Sequence, residues 1–213
     1  MQKNKIQQLF EDYFSLYSPS LSKGVALLTI FLEPELKRGE LDLVFNLLAS
    51  EIAPYLQENS STEEKAEIFR LVLFDKLKFK IEPLTDEKQL SLKQVIRTRK
   101  STPMFMGVLY MLLAENFNIP TFLALSKGQV FVCFRREYNY PNVYIDMSNS
   151  GTFSTEKEHY LFVGAVDKSY GNFQILTVKQ IIRHLLSNLI YLYTKQNADD
   201  KKQQVQTFLE KYL

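Results

Sequence analysis

Few side chains in this sequence could do nucleophilic or acid–base work. The single thiol, Cys133, lies inside the apolar run Val130-Phe131-Val132-Cys133-Phe134, where a Cys reads as a small buried hydrophobe. A reactive thiolate would need a base or another positive group beside it. The two imidazoles are His159, in the charged stretch Glu156-Lys157-Glu158-His159, and His184, beside apolar residues in a helical pattern. The sequence gives neither a catalytic role. Asp146 ends the run Tyr144-Ile145-Asp146 ahead of a Ser/Asn/Gly loop. Gln129 follows Lys127-Gly128 and can hydrogen-bond, but it takes no proton near neutral pH. One Cys and two His argue against a zinc site, and a single Cys forms no internal disulfide. No metal and no cofactor is expected.

The elements that would position these groups follow from periodicity. Ile6, Leu9, Phe10, Tyr13 and Phe14 recur at helical spacing, and Ser20 or Ser22 can cap a helix running through Val25 to Leu32. Leu41 to Leu56 repeats the helical period. Ser60 to Glu64 reads as a cap with acids in the first turn, opening a helix that carries Ala66 to Leu77. Leu90 to Arg99 makes one more short helix.

Thr102 then caps a helix with Pro103 at its first position, where a missing N–H costs nothing. Met104 to Phe117 is almost wholly apolar and should be the buried hub, with Gly107 marking close approach by a neighbouring backbone. Asn118 suits a left-handed cap, and Ile119-Pro120 stops the helix. Thr121–Leu125, Val130–Phe134 and Val143–Met147 read as strands, with further strand at 162–166 and 173–176. Two helices, 178–193 and 199–212, close the chain.

Composition bounds the function. A chain of 213 residues, 46% hydrophobic and 23% charged, is that of an ordinary soluble globular protein with one full core. Its net charge of +2 selects for neither nucleic acid nor an anionic membrane. The longest apolar run, Gly24 to Leu32, is too short to span a bilayer. No membrane association is expected, and a cytoplasmic location is.

A buried helix followed by two strands, the second ending on an acid, resembles the organisation of papain-like thiol enzymes. With these residues placed, the chain is similar to the SirB family, bacterial proteins with a transglutaminase-like domain followed by tetratricopeptide-type helices. Four stretches carry the resemblance. They are Ser91-Leu92-Lys93-Gln94-Val95-Ile96-Arg97-Thr98-Arg99-Lys100-Ser101-Thr102-Pro103, Phe117-Asn118-Ile119-Pro120, Lys127-Gly128-Gln129-Val130, and Asp146-Met147-Ser148. Arg183-His184-Leu185-Leu186-Ser187-Asn188-Leu189 resembles the family's first tetratricopeptide helix. The likeness spans roughly residues 26–213, the N-terminal third in pattern only.

The resemblance implies an α+β fold in three parts. These are a helical region (1–85), a core of buried helix and small antiparallel sheet (86–176), and a helix pair (177–213), with one compact domain overall as the alternative. It places a nucleophilic Cys at the start of the central helix, where the sequence has Thr102-Pro103-Met104, and a His where Gln129 stands. Pro103, Gln129 and Asp146 would then be the remnant of a catalytic site. Gln129 and Asp146 could keep a hydrogen bond, Asp146 could instead be a surface turn residue, and a groove of Thr102, Met104, Gln129 and Asp146 could survive as a pocket.

Arg99, matching the family Arg, would make a structural salt bridge. Together with Lys93, Arg97 and Lys100 it otherwise forms a solvated basic face, or a phosphate site without aromatic support. The Tyr- and Arg-rich stretch 134–141 is a connecting loop with interface-type residues. The expected function is that of a non-catalytic, transglutaminase-like pseudoenzyme acting as a protein-interaction or regulatory module, with a protein partner. The alternative is a degenerate cysteine-protease-like hydrolase or acyl transferase using Asp146 and Gln129. Nucleic acid is the less favoured partner.

Overall fold

The chain's computed structural model describes residues 2–37, 39–135, 142–155 and 174–210. The Tyr-rich stretch from 136 to 141, His159 and the strand expected at 162–166 lie outside these residues. Among those described, five α-helices precede the hub helix: α1 (Gln2–Ser15), α2 (Leu21–Leu32), α3 (Glu40–Ile52), α4 (Thr62–Arg70) and α5 (Leu92–Thr98). The caps are those their residue types dictate. Ser20 accepts from Lys23 N, and Ser61 and Glu64 exchange side-chain-to-backbone bonds as a capping box. The helix expected to run to Leu77 instead widens after α4 into a π-helical turn, Leu71–Lys76.

The hub is α6 (Pro103–Asn116), buried on all sides. Asn118 takes the left-handed conformation (φ 55°), and Ile119 N–H returns to Ala114 O at 2.8 Å, closing the helix end. Two short strands, β1 (Lys80–Ile81) and β2 (Lys100–Ser101), pair in parallel just before it. After it comes an antiparallel sheet of β3 (Thr121–Ser126), β4 (Gln129–Phe134), β5 (Val143–Asp146), β6 (Thr152–Thr155) and β7 (Gln174–Ile175), in the order β6-β5-β4-β3-β7. A 3-10 turn (Met147–Asn149) and two left-handed residues, Ser150 and Gly151, turn the chain back into β6.

Gly107 fixes how α6 meets the sheet. A Cβ there would sit 2.5 Å from Leu123 Cδ2 and 3.5 Å from Val132 Cγ2. Only a bare Cα permits this approach, so Leu123, Val132 and their register partner Ile145 form the sheet face turned to the hub. The chain ends in α7 (Val178–Lys195) and α8 (Asp199–Glu210). The α7 cap is a Thr177/Gln180 capping box. Phe208 of α8 stacks on Phe10 at 4.9 Å and meets Phe31 edge-on at 5.4 Å, tying the C-terminal pair to α1 and α2. One continuous buried cluster therefore runs from Phe10 to Phe208. The architecture is α+β, and no described helix is long and apolar enough to cross a membrane.

Candidate functional site

The start of α6 is where a papain-like arrangement would present its nucleophile. Here the Thr102 hydroxyl accepts from Phe105 N at 3.3 Å, and Pro103 supplies the first helical residue without a free N–H. The helix N-terminus is thus capped from within rather than left to an incoming anion, a bond of about 1 kcal/mol. Thr102, Met104 and Phe105 are all buried. No side chain at this turn is a thiol or an imidazole.

Gln129 and Asp146 stand on β4 and β5, but the register does not seat them together. Gln129 lies opposite Ser126, and Asp146 lies opposite Phe131, two residues further along. Diagonal neighbours of this kind are about 7–8 Å apart at Cα. Among the described residues no hydrogen bond joins them, so the bond expected between them is not formed. The Asp146 carboxylate instead accepts from Ser148 N at 2.8 Å and caps the 3-10 turn. It is buried at 9% exposure, not a surface turn residue. Burial raises its pKa above the ordinary Asp value, partly offset by the backbone N–H groups of Ser148 and Asn149.

Strand alternation then separates the groove candidates. Residues 123, 132 and 145 face α6, so 129, 131, 133, 144 and 146 point to the other side. Ala124, Phe131, Cys133 and Tyr144 form a separate buried cluster on that second face. Thr102 and Met104 belong to the hub helix, whereas Gln129 and Asp146 point away from it. Cys133 is fully buried within the second cluster.

Two of the four cations of the basic face are paired. Lys93 reaches Glu40 at 2.8 Å and Glu33 at 3.6 Å, and Lys100 reaches Glu82 at 3.0 Å. Arg99 was expected to make the structural salt bridge, but among the described residues it has no ion pair within 4 Å. Its left-handed conformation (φ 59°) ends α5, and its carbonyl accepts from Lys80 N at 2.8 Å, so the backbone carries its structural role. Glu33 does the joining instead. Its carboxylate accepts from Ser91 Oγ and from Gln94 Nε2 at 2.8 Å, fastening the end of α2 to the start of α5.

Sequence reasoning missed one polar cluster. Tyr193 donates to Glu87 Oε2 at 2.6 Å, and Lys201 Nζ donates to both Glu87 oxygens at 3.0 Å while lying over the Tyr193 ring. Burial and the Glu87 carboxylate raise the Tyr193 pKa far above the usual phenol range. Glu87 lies more than a hundred positions from Tyr193 and Lys201, so no local motif links it to them. Among the described residues no group of His, Cys, Asp or Glu is arranged to hold a metal ion.

The comparisons agree with this architecture. A family model described as the transglutaminase-like superfamily matches residues 43–187, well over half the chain. No curated protein and no solved structure matches it. The matched span takes in the hub helix and strands β3 to β7, and this chain belongs to the transglutaminase-like superfamily.

Proposed function

We propose that this protein is a non-catalytic member of the superfamily, a pseudoenzyme of the SirB type that serves as a protein-interaction or regulatory module. The observation that carries the reading is the start of α6, where a Thr cap, Pro103 and the buried Met104 stand in place of a nucleophile. The site's remaining acid has a structural task, since Asp146 holds the turn that leads into β6. The one thiol lies in the sheet's second cluster rather than at the helix start. Lys93 and Lys100 are paired with carboxylates, which takes two of the four cations of the basic face away from a phosphate backbone.

By its resemblance, α7 and α8 are a tetratricopeptide-type pair, the partner is a protein, and the setting is the bacterial cytoplasm. The competing reading is a hydrolase or acyl transferase in which Asp146 and Gln129 act on substrate. Purified protein should show no ester or amide hydrolysis and no amine incorporation above buffer. Its Cys133 should react with iodoacetamide only as fast as the protein unfolds. Turnover that disappears in Asp146→Asn or Cys133→Ser would overturn the non-catalytic reading. For the partner, capture from the host followed by direct binding of the two purified proteins is the confirming result.

A further inference from the structure

A cavity of about 650 Å³ lies where α1 and α2 meet the C-terminal pair, away from the start of α6 and the strand ends. That volume falls within the range of small-molecule sites. One wall is hydrocarbon, formed by Ile6, Leu9, Ile30 and Phe31. Leu9 and Ile30 are 38% and 42% exposed, a large apolar surface to leave open to water around a concavity. The far wall is polar and carries the Glu87–Tyr193–Lys201 cluster.

Charge at the cavity is not balanced. Lys201 neutralises Glu87, and the Tyr193 hydroxyl is committed to the same carboxylate. Lys5 also lines the cavity, is exposed, and makes no ion pair among the described residues. The lining therefore carries one excess positive charge beside a hydrocarbon wall. We infer that this cavity binds a small anionic amphiphile, its chain against Ile6, Leu9, Ile30 and Phe31 and its head group beside Lys5 and Lys201. The chemistry that fits is an unbranched carboxylate of medium chain length. The inference does not depend on whether the protein is catalytic.

Titration calorimetry with octanoate and decanoate tests it, with decanol and decyltrimethylammonium as probes of head-group charge. Saturable 1:1 binding of decanoate is expected, tightening about fourfold for each added methylene from octanoate. Decyltrimethylammonium should bind at least tenfold more weakly than decanoate. Lys5→Glu should reverse that order, and Ile30→Glu should abolish binding of both. Leu47→Glu, at an exposed position on α3, should leave binding unchanged. Equal binding of the anionic and cationic probes, or no saturable uptake of decanoate, would overturn the assignment. So would self-association that Ile30→Glu abolishes, because it would give the wall to a second copy of the chain. Circular dichroism of each variant ensures that lost binding is not lost fold.

Discussion

Two regions of this molecule contrast in how they treat polar groups. At the start of α6 and the end of β5, polar side chains close the backbone on itself: Thr102 caps the hub helix and Asp146 caps a turn. At the junction of the terminal helices, Glu87, Tyr193 and Lys201 converge from three separate segments on a space they do not fill. The first region belongs to the scaffold that the family model matches, and its polar side chains are taken up in capping. The second has space, an apolar wall and directed polar groups, away from the hub helix and the sheet. Membership of a fold family thus identifies a scaffold, and the location of a binding site has to be argued from side chains.

The contrast depends on the terminal pair being part of the core. Phe208→Ala removes a fully enclosed ring between Phe10 and Phe31 and should destabilise the whole protein by about 3–5 kcal/mol, read as a shift in denaturant midpoint. A loss below about 1 kcal/mol, or a separate early transition, would show that α8 is only loosely attached.

Two buried tyrosines sharpen the comparison. Tyr193→Phe removes an O–H bond to a carboxylate and should cost about 1.5–3 kcal/mol. Tyr110 sits within the hub against Phe69 and Phe74, and its hydroxyl is buried without a partner among the described residues. Tyr110→Phe should therefore be neutral or stabilising by up to about 1 kcal/mol, since no bond is lost and a desolvated hydroxyl is removed. Equal losses at the two positions would erase the distinction between the regions.

The smallest effect concerns Asp146. Its folded pKa lies above its unfolded value, so the folded state holds the proton more tightly. Its contribution to stability is present in full below the ordinary Asp range near 3.9, and is lost as pH rises through the raised folded value. Asp146→Asn keeps an oxygen for Ser148 N and removes the titration. The variant should match the wild type at low pH and equal or exceed it at neutral pH in pH-dependent denaturation. A wild type that gains stability across that window would instead mean that the carboxylate is stabilised by a partner.

Local chemistry explains what was legible. The Thr102-Pro103 start, the Asn118 cap and the 121–134 hairpin each follow from residues a few positions apart, whose preferences no distant contact had to override. The close approach expected at Gly107 comes instead from the Leu123 side chain of the sheet and not from a neighbouring backbone. The π-helical turn after α4 and the β6 strand were not legible. Nothing in Leu71–Lys76 departs from helical spacing, and Thr152–Thr155 becomes a strand only by pairing with β5. The Gln129–Asp146 bond failed as an expectation because strand register, which no single strand specifies, set Phe131 opposite the acid. Arg99 failed for a similar reason. Its backbone performs the structural role expected of its side chain, while Lys93, a turn and a half earlier, pairs with the carboxylates.

By itself the sequence determined the α+β class, the hub helix and the lack of a thiol where that helix begins, because composition, capping and short-range periodicity are properties of neighbouring residues. Tertiary structure alone decided which face Asp146 occupies and that Lys5, Glu87, Tyr193 and Lys201 line one cavity. Those outcomes depend on strand register and helix docking, which bring together residues that share no spacing along the chain.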